Sequence, residues 1–193
     1  MLRLGIIPTM LVVFVTLGVS HADTKKIRTL DACDPTTFNA DAPVGPGLGV
    51  ICNTHPNDGV TFEEFSELLT PIAFGHPAWR FNAPYLEIEP NEKVRVTNRG
   101  GEDHTFTEVS APEGEAPFGG GRVDVLNKAL GLQPRGECQD ETTAPPIHPG
   151  DSIQIKGLSE GTHYFQCCIH PWMHAIIEVE LEKDNDHKDH GHD

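Results

Sequence analysis

The chain has 193 residues and carries 14 Lys and Arg against 29 Asp and Glu, a formal net charge of −15 with histidine neutral. That length suits one domain of ordinary size with appendages. An acidic balance of this strength excludes nucleic acid and anionic membranes as partners and favours a cationic protein. Residues 1–22 open with Arg3, continue as an apolar run over residues 4–19 and close on Ser20-His21-Ala22. This is the charged, apolar and small-residue layout of a secretory signal, with cleavage expected after Ala22. The run is shorter than the ~20 apolar residues needed to span a bilayer, and Pro8 interrupts it, so no stable membrane anchor is expected. Leu30-Asp31-Ala32-Cys33 has the look of a lipoprotein box, but polar residues 23–28 separate it from the apolar run.

Residues 23–70 read as an N-terminal extension outside the main domain. Within it Thr61-Phe62-Glu63-Glu64 is a capping box, and Phe65, Leu68 and Leu69 follow, which predicts a short helix. Asn57-Asp58-Gly59 suggests a calcium loop. Aligning Gly59 to loop position six puts Thr54, Pro56 and Phe65 where acidic or amide ligands belong, so that motif fails.

The main domain is expected over residues 71–182. Between residues 80 and 109, period-two pairs (Leu86/Ile88, Val94/Val96) separated by turn residues predict β-strands. Residues 110–146 form a long insertion, read as a cover over one side of the domain, in which residues 124–132 predict one or two helical turns. Its Gly119-Gly120-Gly121 lacks a following Gly-Lys-Ser/Thr and is no phosphate loop. The last residues, 183–193, hold His187, His190 and His192 among acidic neighbours. That composition reads as a disordered end, although His-rich tracts can bind metal loosely.

The chemistry-bearing stretch is His163-Tyr164-Phe165-Gln166-Cys167-Cys168-Ile169-His170-Pro171-Trp172-Met173. It sets a thiolate, an imidazole and a thioether at Cys-x2-His-x2-Met spacing directly after a strand-like run. A trigonal Cys/His2 set with a weak axial Met serves both Cu(I) and Cu(II) with little rearrangement. Cys167, His170 and Met173 supply three such ligands, and His104, in Asp103-His104-Thr105-Phe106, is the upstream candidate for the fourth. Singly, each has an ordinary reading as a buried or disulfide-bonded cysteine, core methionine or core histidine. The order His…Cys-x2-His-Pro-x-Met sets the group apart. Cys167 is preferred to Cys168 by its spacing to His170. Strand alternation also puts Phe165 and Cys167 on one face and Gln166 and Cys168 on the other. His148, His163 and His174 are expected at the surface or behind the ligands.

On these residues the chain resembles the cupredoxins, the type 1 (blue) copper proteins, near the plastocyanin, pseudoazurin and amicyanin group. The short Cys-to-Met loop looks most like amicyanin. The resemblance covers roughly residues 77–182. It includes the two strand-like runs around Pro90-Asn91 ahead of His104, the segment from Ile147 to Gly161 ahead of Cys167, and the closing run Ala175 to Val179. It implies an all-β Greek-key β-sandwich, cupredoxin-like, of about seven or eight strands. It implies one type 1 copper per chain on His104, Cys167, His170 and Met173, with Thr105 steadying the ligand loop. The function implied is outer-sphere electron transfer, not catalysis, by an exported, periplasmic or secreted protein. His104 would be buried, and an edge of His170 would reach the surface beside Pro171 and Trp172 as the electron port. Redox partners are expected to be cationic, and the chain is expected to be a monomer. A copper carrier or storage protein, or an accessory copper domain of a larger redox enzyme, is the alternative. A catalytic copper cluster would need further ligands, and His190-Gly191-His192 lies in the tail. With Cys167 on the metal, Cys33, Cys52, Cys138 and Cys168 remain, and three pairings are open. Cys33–Cys52 is favoured because both lie in the Pro/Gly-rich N-terminal segment, leaving Cys138–Cys168; free buried thiols are the alternative.

Overall fold

The computed structural model describes residues 23–53, 59–69, 75–111 and 119–181. The expected signal segment 1–22 and the tail 183–193 lie outside these described residues. In β5 (Lys93–Asn98), Val94, Val96 and Asn98 are buried while Lys93 and Arg95 are exposed, the alternation of a strand with one face in the core. β1 (Thr24–Asp31) behaves alike, burying Ile27, Thr29 and Asp31 and exposing Lys26 and Arg28. With β2 (Gly75–His76), β3 (Trp79–Asn82) and β7 (Ser152–Ile155) they form a sheet in the order β2-β3-β1-β5-β7. The second sheet, β4-β9-β8-β6, contains β4 (Tyr85–Ile88), β6 (Thr107–Val109), β8 (Gly161–Gln166) and β9 (His174–Val179). The architecture is the expected all-β sandwich of two sheets, with nine strands among the described residues.

One expectation is corrected. Residues 24–31 do not lie outside the sandwich: β1 runs through the middle of the five-stranded sheet, parallel to β5 from Thr24–Lys93 to Thr29–Asn98 and antiparallel to β3 from Arg28–Asn82 to Asp31–Trp79. Its hydrophobic signal is faint because two of its inward positions are polar, Thr29 and Asp31. Both are buried against partners from distant segments.

The sheets meet through aromatic rings. Phe106 stacks on Phe165 with centroids 4.4 Å apart and meets Phe81 edge-on at 5.0 Å. Ile27, Val94, Val96, Ala175, Ile177 and Val179 complete the layer. Each large side chain removed from water stabilises the fold by roughly 1.5–3 kcal/mol. Two short helices, α1 (Pro35–Phe38) and α2 (Phe62–Leu68), pack beside β3. The expected capping box is formed: the Thr61 hydroxyl accepts from the Glu64 amide and the Glu64 carboxylate accepts from the Thr61 amide. Phe38, Phe65 and Trp79 pack together at 5.3–5.8 Å and seat both helices on β3. The Cys33–Cys52 disulfide ties the same segment.

The insertion contains α3 (Asp124–Leu130), ending on Gly131 at φ 67°, and a 3-10 turn over Gly136–Cys138. Cys138–Cys168 fastens it beside the end of β8, so both favoured cysteine pairings are formed. Gly121 presses against this strand end so closely that a Cβ there would lie 2.2 Å from the Cys168 carbonyl oxygen. The adjacent Arg122 amide donates to that oxygen at 2.7 Å.

Candidate metal centre

His104 stands six residues beyond the end of β5, and polar contacts hold its loop. Asn98, fully buried, donates from Nδ2 to the carbonyls of Glu102 and Ile147, each at 2.7 Å. Its Oδ1 accepts from the Gly100 amide and the Thr29 hydroxyl. His104 and Ile147 exchange backbone hydrogen bonds at 3.2 and 2.6 Å. Glu102 is clamped from outside by the backbone and side-chain amides of Asn53. These bonds fix the loop that carries His104.

The opposite wall is the turn from Cys167 to Met173. It is closed by the Met173 amide on the His170 carbonyl and the Cys167 amide on the Met173 carbonyl, both 3.0 Å. Thr105 reaches across to join the two walls. Its amide points at the Cys167 sulfur at 3.4 Å, and its hydroxyl accepts from the Cys168 amide at 2.7 Å. The role expected of Thr105 is thus visible as two contacts.

The structure brings three of the four expected residues to one point. Cys167 Sγ lies 3.8 Å from His104 Nδ1 and 3.8 Å from His170 Nδ1, and the two Nδ1 atoms are 3.3 Å apart. All three side chains are buried. Metal–nitrogen bonds of about 2.0–2.1 Å and a metal–sulfur bond near 2.3 Å set donor atoms of a trigonal to tetrahedral ion roughly 3.3–3.8 Å apart. The two edges to sulfur are the longer ones, as the longer bond requires. The donor triangle therefore fits one ion. Met173 is fully buried within the same turn. Cys168, one residue away, is held in its disulfide and is not a donor.

Electrostatics favour a thiolate. Burial alone would raise the Cys167 pKa, but hydrogen bonds and charge from His104 and His170 outweigh it and hold it well below the ordinary thiol value. The His170 and Thr105 amides also point at this sulfur, both at 3.4 Å. Behind His104 stands Asp31, which the sequence reading left in the extension. Its Oδ2 lies 2.9 Å from His104 Nε2 and accepts from the Glu102 amide at 2.7 Å, while Oδ1 accepts from the Gly101 amide at 2.8 Å. Burial opposes its charge, yet the bond and charge from His104 and the two amides keep its pKa below the usual carboxylate value. In turn, burial opposes protonation of His104, and Asp31 with Cys167 raises its pKa to about 9. A carboxylate on the far nitrogen fixes which nitrogen is free to bind metal and makes it a better donor. Gly100 is part of this arrangement, because a Cβ there would fall 2.0 Å from Asp31 Oδ1. Extending the Ile27/Thr29 alternation one step would have placed Asp31 in the core.

His170 differs from expectation. It is only 6% exposed, and Trp172 only 8%. The His170 ring is covered by Trp79 at 5.0 Å and Trp172 at 5.4 Å, and Trp172 packs on Phe65 at 5.2 Å. Trp79, absent from the sequence reading, thus walls the site. The His170 ring instead lines a groove of about 360 Å³ together with Val50, Ile51, Val123 and Leu126. These four residues come from the two segments that the sequence reading set apart as an extension and an insertion.

His148, His163 and His174 stand outside the triangle, as expected. His163 pairs with Glu108 at 2.6 Å, His148 with Asp103 at 2.9 Å, and His174 Nε2 meets the Pro171 carbonyl. Cys33, Cys52 and Glu102 also approach one another, but the two sulfurs are joined and offer no thiolate.

No family model matches the chain, and no curated protein matches it. Among solved structures it is similar to a purple cupredoxin from Nitrosopumilus maritimus, with 18% identity, a TM-score of 0.36 and coverage of 54% of this chain and 86% of that one. A Cu(I) mutant of amicyanin is similar at 18% identity and a reduced mutant at 19%, each with a TM-score of 0.34 and coverage of 52% of this chain and 73% of theirs. At such scores these likenesses carry nothing about the metal, which rests on the donor triangle.

Proposed function

We propose that this chain is an exported type 1 copper protein that passes single electrons between redox partners, with one copper held by His104, Cys167 and His170 and weakly by Met173. The observation that carries the reading is the buried thiol–imidazole–imidazole triangle with edges of 3.3–3.8 Å. Bound there, copper supplies a one-electron couple between Cu(I) and Cu(II). The chain's own residues supply constancy of shape. Asp31 orients His104, Thr105 ties the two ligand walls, and two amides steady the Cys167 sulfur, so little rearrangement accompanies a change of charge. Trp79, Trp172 and Phe65 exclude water and leave His170 as the short route to the groove. The two disulfides suit an oxidising compartment. No helix among the described residues is long and apolar enough to cross a membrane.

The test is a copper-loaded absorption spectrum with metal counting. One copper per chain with an intense visible thiolate-to-copper band, reversible one-electron cycling and retention against a chelator is expected. Cys167→Ser should abolish the band, whereas replacing both Cys138 and Cys168 with Ala should keep it. Preference for zinc, or copper lost readily to a weak chelator, would sink the reading and leave a structural or carrier site.

A further inference from the structure

The chain is strongly acidic, yet one face of it is not. The strands β1, β3, β5 and β7 contain a single carboxylate, Asp31, and that side chain points inward to His104. Outward on the same strands stand Lys26, Arg28 and Arg95, with Arg99 continuing the line past β5. With Thr24, Thr97, Gly150 and Ser152 they line a shallow depression of about 550 Å³. Among the described residues none of these four cations makes an ion pair. Of the carboxylates three residues from them in sequence, Asp23 and Glu92 are engaged by Lys25, Asp31 by the loop amides and Glu102 by Asn53.

This concentration is unfavourable in the isolated chain. Lys26 and Arg95 are register partners on neighbouring strands, whose backbones lie roughly 4.7–4.9 Å apart, so their like-charged side chains leave the sheet side by side and repel. Nothing in the fold needs them there, because the outward positions take any polar residue. We infer that the outer face of the five-stranded sheet is a docking surface for an extended acidic segment of a partner protein. Lys26 and Arg28 are two residues apart on a strand and therefore roughly 6.6–6.8 Å apart, which is also the repeat of alternate side chains in an extended peptide. A segment with acidic residues at every second position meets these cations in register. A lipid surface fits less well. No exposed apolar side chain lines the depression, Ile27 being fully buried, and the remainder of a molecule with net charge −15 would face the anionic headgroups. The inference goes beyond the copper reading, since none of the four cations touches the donor triangle.

The test uses the full, metal-loaded chain and a fluorescent peptide of alternating Asp and Ser, with anisotropy as readout. Binding at low salt is expected, weakening as salt rises and falling by about tenfold or more in the Arg28→Glu/Arg95→Glu variant. The visible band should be unchanged. A peptide of equal composition with its Asp residues in one block should bind more weakly. The milder Lys26→Ala/Arg95→Ala variant gives the same comparison should the charge reversal fail to fold. No binding, or binding untouched by either variant, overturns the inference. So does equal affinity for the block peptide, or retention on phosphatidylglycerol vesicles without peptide binding. Peptide binding seen only after removal of residues 182–193 would assign the face to the chain's own acidic end and overturn the partner.

Discussion

Asp31 shows how much one carboxylate decides at the residue scale. It accepts from two loop amides and faces His104 Nε2, so it sets both the loop and the ring. Asparagine is nearly isosteric but turns an NH2 toward one of these donors. Asp31→Asn should therefore lower copper affinity by about 10–100-fold, the usual effect of removing a partner behind a metal-binding histidine. Competition with a chelator of known affinity measures this, and an unchanged affinity would mean that Asp31 does not hold the imidazole. Gly100→Ala should reproduce the loss without touching a charged group, because its Cβ would displace the carboxylate from 2.0 Å away. Agreement between the two variants would separate the position of Asp31 from its charge.

At the scale of elements, the insertion is tied at two points that can be cut separately. The Cys138–Cys168 bridge spans 30 residues, and in the loop-entropy picture such a closure is worth about 3–4 kcal/mol. Replacing both cysteines with Ala should lower unfolding stability by about that amount while leaving the visible band in place. Denaturant titration of the copper-loaded protein would test both halves. The second tie is Glu137, whose Oε1 accepts from the Ser110 hydroxyl and amide at 2.6 and 2.8 Å. The side-chain and then the backbone bond from Ser110 hold its pKa down to about 2, against an ordinary 4.5. Because the folded value is depressed, this tie contributes fully above pH 4.5 and is lost as pH falls toward 2. Exchange of the Ser110 amide should be pH-independent in its opening equilibrium above that window and increasingly open below it. Glu137→Gln should remove the dependence; if exchange stays the same in the variant, the tie does not control this edge.

On the proposed reading, the whole molecule decides where electrons would enter. Trp172 packs on Trp79 and Phe65, with only 8% of its surface exposed. Trp172→Glu would bury a charge in that cluster and disturb the fold. Val50 is 73% exposed and lines the same groove as His170. Val50→Glu should slow bimolecular electron transfer while leaving the absorption spectrum intact, because it adds charge and bulk at the approach and nothing at the ligands. Stopped-flow reduction by a protein partner would show this, and an unchanged rate would place the entry elsewhere. Net charge alone is a poor guide to partners here. The acidic balance belongs to the molecule, but the five-stranded sheet presents cations outward, and screening over about 10 Å at 0.1 M salt makes the local face matter most.

The sequence by itself determined the elements whose signals are local. The Thr61 capping box forms as written, the Val94/Val96 alternation is a strand, and the Cys-x2-His-x2-Met turn is short enough that its spacing alone brings Cys167 and His170 together. His104 was legible for a weaker reason, as a histidine after a strand, and only the packing of two sheets puts its Nδ1 3.3 Å from that of His170. Asp31 and Trp79 were not legible as parts of the site. Each acts across a long stretch of chain, and a buried polar residue or a lone tryptophan gives no periodic signal of its own. The same holds for β1, two of whose three buried side chains are polar. Its place at the centre of the sheet follows from pairing on both edges and not from its hydrophobicity. The depth of His170 was likewise decided by tertiary structure, because Trp79 of β3 covers it and Phe65 of the N-terminal segment packs on Trp172, which also covers it. Local spacing chose the donors; contacts between distant segments chose what surrounds, orients and hides them.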